Sequence, residues 1–211
     1  MNIHEAKLRL SEKLELADSK FIEKLITTNS KFARPALRIG GDYYHMKPIK
    51  GIVLHWTANY RKGADALANA RYFENQRERY CSAHYIVDDK HVVQIIPDNE
   101  VAYHVGGENY TYQGKEFLIR EQQGQRIRNL TPNWSLLGVE LCVNEGGDWE
   151  KTISNAAVLC RHLLEKHKLS TFDLYRHYDI TGKICPLPFV KEDESRGWKG
   201  RESWDFFRKQ L

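Results

Sequence analysis

Apolar positions recur at helical spacing near the start of the chain. Leu10, Leu14, Ala17, Phe21, Leu25 and Thr28 fall on one side, with acidic and basic residues on the others. The pattern predicts an amphipathic helix over residues 3–28, or two helices broken near Asp18-Ser19. Arg34-Pro35 ends this segment and Gly40-Gly41-Asp42 reads as a turn, which divides the chain into an N-terminal helical extension (1–38) and a main domain (39–211). The pattern then shortens. Gly51-Ile-Val-Leu-His55-Trp-Thr57 reads as a buried strand carrying His55 at its C-terminal end, and residues 64–79 as a helix with one apolar face. Ser82–Val87 and Val92–Ile96 flank Asp88-Asp89-Lys90, a hairpin by its turn chemistry. Residues 108–132 are polar and rich in Gln and Arg, a long surface loop with some helix. Further strands are expected at Leu137–Val143 and Leu174-Tyr175, and helices at Ile153–His167 and from Trp198 to Leu211.

Composition narrows the class. A chain of 211 residues, 41% hydrophobic and 28% charged, suits a soluble domain with one well-buried core. No apolar run approaches the roughly 20 residues that cross a bilayer. Four scattered cysteines (Cys81, Cys142, Cys160, Cys185) do not form a disulfide framework, and the first three read as packed thiols. The charged opening Met-Asn-Ile-His-Glu-Ala-Lys predicts no secretory signal, hence synthesis in the cytoplasm. A net charge of +4 suits anionic partners such as cell-wall polymers or nucleic acid, and equally a plain solvated surface.

The candidate chemistry sits in His177-Tyr-Asp-Ile-Thr-Gly-Lys183-Ile-Cys185-Pro186. Imidazole and thiolate are the pair that zinc favours, and a zinc held by three protein groups keeps a fourth position for water. The Asp, Thr and Gly between them are turn formers, so a loop is expected to bring both donors together, with Lys183 adding a positive charge. On Leu137–Val143, alternation puts Val139, Leu141 and Val143 on one face and Gly138, Glu140 and Cys142 on the other. A carboxylate there is costly unless partnered, so Glu140 is either half of a salt bridge or a general base beside a metal. His84 reads as a hydrogen-bonded strand histidine. His104, followed by Val105 and two glycines, is a candidate substrate contact, with a structural role competing.

Five segments taken in order resemble the zinc-dependent N-acetylmuramoyl-L-alanine amidases of the type-2 family, which share a fold with peptidoglycan recognition proteins. They are Ile-Val-Leu-His55-Trp-Thr-Ala, Ser-Ala-His84-Tyr-Ile-Val-Asp, Ile-Pro-Asp-Asn-Glu-Val-Ala-Tyr-His104-Val-Gly, Gly-Val-Glu140-Leu-Cys, and His177 to Pro186. The resemblance spans roughly residues 45–190 and is greatest to phage and prophage lysins of Gram-positive bacteria. It implies an α/β fold with a central mixed β-sheet flanked by helices. It also implies zinc as cofactor, held by His55, His177 and Cys185, with Glu140 and Lys183 catalytic. The implied reaction cuts the amide between N-acetylmuramic acid and L-alanine in bacterial peptidoglycan. Glu140 moves the proton from water to the leaving amine, and Lys183 steadies the oxyanion. Nucleic acid is not an implied partner, and a monomer acting on the wall after phage-mediated release is expected.

Two departures stand out. Some members carry a catalytic tyrosine before the second-strand histidine, where this chain has Ala83, and the family's usual tryptophan before His104 is Tyr103. The usual separate wall-binding domain is not visible. A cytosolic amidase recycling soluble muropeptides and a non-catalytic peptidoglycan-binding module are the competing readings. Cys185 argues against the module, and digestion of intact sacculi versus soluble fragments separates the two enzymes.

Overall fold

The computed structural model describes residues 3–15, 17–26, 32–34, 48–105 and 132–211. The expected boundary at 38/39, the turn at Gly40-Gly41-Asp42, the glycines after Val105 and nearly all of the 108–132 segment lie outside the described residues.

The N-terminal segment departs from its helical expectation. Helix α1 (Ile3–Glu15) is capped electrostatically by Glu5 in its first turn and Lys13 in its last. It buries Leu10 and Leu14 against the main core, then stops. The chain turns through Asp18, at a left-handed φ of 51°, and continues as strand β1 (Lys20–Glu23). Phe21 packs on one side of the sheet and Ile22 on the other, so the local period is two, not 3.6. The helical spacing of Phe21 and Leu25 with Leu14 is therefore coincidental.

Strands β2 (Gly51–Trp56), β3 (Tyr85–Val87), β4 (His91–Gln94), β5 (Leu136–Leu141) and β6 (Leu174–Arg176) complete a six-stranded sheet of order β1-β4-β3-β5-β2-β6. Pairing is parallel throughout except for the β3–β4 hairpin, so the sheet is mixed. Helices cover both of its faces. Helix α2 (Ala66–Glu74) starts where Asp65 accepts from the Ala68 N–H, and lays Ala66, Ala70 and Phe73 on Ile86 and Val93. Helix α3 (Trp149–His167), capped by Asp148, packs Ala156, Leu159, Cys160 and Leu163 on the opposite face, against Leu54, Leu137, Val139 and Leu141. A short helix α4 (His177–Thr181), a two-stranded ribbon of β7 (Glu192–Asp193) and β8 (Trp198–Lys199), and helix α5 (Arg201–Lys209) finish the chain.

Two features brace the ends of the central strands. Asp98 accepts from Tyr85 Oη, Gln94 Nε2, Lys166 and His167, tying the β3–β4 hairpin to the end of α3. Burial alone raises this carboxyl, but the bonds from His167 and Lys166 outweigh it and hold it well below the usual range. At the end of β2, Trp56 packs edge-on to Tyr60 and Trp198, and Arg196 lies 3.8 Å over the Tyr60 ring.

Because α1 shares the main core, Leu14→Ala should destabilise the protein by about 2–5 kcal/mol. Leu8→Ala, on the exposed side of the same helix, should cost less than about 0.5 kcal/mol. Urea unfolding of both variants checks this, and equal small effects would mean that α1 is not part of the folded unit.

Candidate active site

The face of the sheet opposite α3 is apolar at its flanks and polar along its centre. His55 and Glu140 are register partners on adjacent parallel strands β2 and β5. Beside them the chain following β6 delivers two further donors. Ligand atoms of His55, His177 and Cys185 all lie within 4.8 Å of one another, and all three residues are buried. The expected donors are thus brought together, His55 and Cys185 through an Nδ1···Sγ contact of 3.8 Å.

The link between His177 and Cys185 is not the open loop expected. His177 begins helix α4, whose last turn closes on Gly182 in the left-handed conformation with its N–H on the Tyr178 carbonyl. The Tyr178 N–H donates to Cys185 O at 2.9 Å, so the segment folds back on itself. Arg176, just before the ligand, is buried with Asp179 in a two-pronged ion pair, Nη2–Oδ1 2.7 Å and Nε–Oδ2 3.1 Å. Its third arm donates to the Phe189 carbonyl at 2.8 Å. This brace fixes the direction in which His177 leaves the sheet.

The donor set fits a divalent cation of intermediate softness. Both ring nitrogens of His177 are sealed from solvent and have no hydrogen-bond partner among the described residues, an arrangement that costs free energy unless something else accepts a lone pair. A tetrahedral zinc would space its ligands roughly 3.5 Å apart, a small contraction of the trio. Burial holds His177 down at about 4, with the Lys183 charge adding, so both histidines stay neutral and able to ligate. Burial pushes the Cys185 thiol up to about 12, so ligation by this sulfur must release a proton.

Among the described residues Glu140 has no salt-bridge partner. Its Oε2 is buried with no hydrogen-bond partner, and burial lifts the carboxyl to about 7, with the Lys183 charge pulling the other way. A carboxyl titrating near neutrality is suited to accepting and returning a proton. Lys183 itself is exposed, and its charge reaches His55, His177, Glu140 and Cys185 alike.

His104, read as a candidate substrate contact with a structural role competing, stands one layer behind the trio, 8% exposed, with Nδ1 2.9 Å from His55 Nε2 and Nε2 2.9 Å from the Leu136 carbonyl. Both nitrogens thus have partners inside the protein. His84 is fully buried and hydrogen-bonded as read, but it stands just before β3 rather than in it, accepting from the Gly138 N–H and bonded to the Glu100 carbonyl. Sequence reasoning missed Arg176, Asp179 and Asn133. Asn133 takes the N–H groups of His104 and Val105 on its Oδ1, clamping that loop to the start of β5. The only signal for Arg176–Asp179 was their spacing of three.

A mixed sheet carrying a buried His-His-Cys trio beside Glu140 defines an α/β domain with a candidate metal site. The chain belongs to the N-acetylmuramoyl-L-alanine amidase family, whose pattern matches residues 45–188. It is 38% identical over 179 residues to a probable N-acetylmuramoyl-L-alanine amidase of Bacillus licheniformis, covering 82% of this chain and 44% of that protein. It is 36% identical over 183 residues to the N-acetylmuramoyl-L-alanine amidase BlyA of Bacillus subtilis (strain 168), covering 83% and 44%. The chain thus spans less than half the length of these relatives. Its fold is similar to the catalytic domain of XlyA, with a TM-score of 0.67 at 27% identity over 90% of this chain and 98% of that one.

The environment of Glu140 has a thermodynamic signature. Its pKa is about 7 in the folded chain against an ordinary 4.5, so the folded state binds the proton more tightly than the unfolded state. Metal-free protein should therefore lose stability as pH rises from about 4.5 to 7, by on the order of 2–3 kcal/mol. Glu140→Gln should melt higher than the unmodified protein at pH 8 in the presence of chelator, and the gap should close near pH 4. A lower melting temperature at pH 8 would reinstate the salt bridge.

Proposed function

We propose that this chain is a zinc-dependent N-acetylmuramoyl-L-alanine amidase acting on bacterial peptidoglycan as a phage or prophage lysin. The observation that carries the reading is the sealed, partnerless His177 imidazole facing His55 and Cys185 beside an unpaired Glu140. Family membership supplies the bond: the amide joining the lactyl carboxyl of N-acetylmuramic acid to L-alanine. All of these groups come from one chain and lie within residues 39–211, so a monomer suffices, with α1 and β1 bracing the sheet.

His55, His177 and Cys185 would hold the ion. Zinc so placed supplies Lewis acidity for a carbonyl and lowers the pKa of a water. Glu140 takes a proton from the attacking water as its oxygen bonds to the carbonyl carbon. The same carboxyl then returns the proton to the alanine nitrogen as the C–N bond breaks, giving a free carboxylic acid and a free amine. Lys183 places positive charge near the oxygen that gathers negative charge. Ala83 stands where some members carry a tyrosine, so Glu140 is the proton carrier here.

Dialysis against a strong chelator should abolish activity on intact sacculi, and added zinc should restore it. The digest should contain new L-alanine amino termini and no new reducing sugar ends. Reducing ends would mean a glycosidase, full activity in verified metal-free protein would remove the zinc, and turnover confined to soluble fragments would replace the lysin by a recycling amidase. Glu140→Gln should retain zinc while turnover falls by about 10²–10⁴-fold. Lys183→Ala should also slow the reaction while keeping the metal.

A further inference from the structure

Behind the candidate metal site runs a file of imidazoles whose hydrogen bonds admit one placement of protons. The file begins at Gly138, whose backbone N–H can only donate. It gives its proton to His84 Nδ1 at 2.9 Å, so His84 carries its own proton on Nε2, toward the Glu100 carbonyl at 2.9 Å. The next ring, His104, sits edge-on to His84 with centroids 5.7 Å apart. Its Nε2 faces the Leu136 carbonyl, which can only accept, so the proton of a neutral His104 is on Nε2. Nδ1 of His104 is then a bare acceptor, 2.9 Å from His55 Nε2. That contact requires the His55 proton to be on Nε2, which strips His55 Nδ1, the atom facing Cys185 Sγ.

The space for this arrangement is built in. A Cβ on Gly138 would lie 2.6 Å from His104 Cγ and 2.8 Å from its Nδ1, so only glycine lets the ring reach this position. Asn133 fixes the loop from the other side, through the N–H groups of His104 and Val105.

We propose that His104 is a positioning residue that sets the tautomer of His55, with the Leu136 carbonyl as the fixed end of the relay and Gly138 as the gap that admits it. The inference rests on the reading of His55 as a metal ligand. It assigns His104 no contact with substrate. A ligating histidine commonly gives its other ring N–H to a fixed acceptor, and losing that partner weakens metal affinity by about 10–100-fold. Here the acceptor is a third imidazole, itself oriented by a backbone carbonyl.

The test crosses volume with acceptor. His104→Phe fills the space and removes the acceptor, whereas His104→Asn loses volume but places a carbonyl oxygen near the Nδ1 position. Zinc affinity, measured by competition with a chromogenic chelator, should fall about 10–100-fold in His104→Phe and recover to within a few-fold in His104→Asn. Gly138→Ala, which displaces the ring without touching any donor, should resemble His104→Phe. Nitrogen-15 spectra of the metal-free protein should show His55, His84 and His104 each protonated at Nε2. Unchanged affinity in His104→Phe, better retention in Phe than in Asn, or a His104 protonated at Nδ1 would each overturn the relay. A failure of the unmodified protein to bind zinc would instead overturn the metal reading, and the metal-free spectra would still decide the relay.

Discussion

The site depends on one pairing, the parallel register that sets His55 of β2 beside Glu140 of β5. Side chains alternate along a strand, so this register puts a ligand and a carboxyl together on one face while Leu54, Val139 and Leu141 fill the α3 face. A slip of one residue in β5 would drive Glu140 into that apolar layer and turn Leu141 toward the metal site. The burial of Leu137, Val139 and Leu141 against α3 is therefore what holds the chemistry in place. Core packing and active-site geometry are the same constraint seen from two sides of a sheet.

The polar face is kept under tension. Among the described residues, a Glu140 oxygen and both His177 ring nitrogens are buried without hydrogen-bond partners, an unfavourable state that a nearby cation would relieve. Stability is concentrated elsewhere: in the α3 layer, in the Asp98 cluster at the far end of the hairpin, and in the Arg176–Asp179 brace. That division lets the site remain strained without loosening the fold.

Much of this was legible in the sequence because chemistry and periodicity agreed. The α3 pattern, the hairpin and the alternation around Glu140 appear as read, with boundaries shifted by a few residues. The metal trio was marked by its residue types and by ordered resemblance. What escaped depended on three-dimensional partners. β1 hid inside a helical spacing because Phe21 and Ile22 serve opposite faces of a sheet that the local sequence does not show. Helix α4 is only five residues long, too short for any periodicity. His104 was read from the glycines that follow it, while the groups its ring meets, Gly138 and the Leu136 carbonyl, lie more than thirty positions away.

The brace around His177 carries a practical consequence. Many small metal sites form only when the ion arrives, so that ligand ordering and metal binding are one event. Here Arg176, Asp179 and the Tyr178–Cys185 backbone bond hold the ligand loop through contacts that involve none of the donor atoms. Folding and loading are thereby uncoupled. A preparation could be fully native in its circular dichroism and yet carry no ion, so that a folding signal alone would not report whether the trio is loaded.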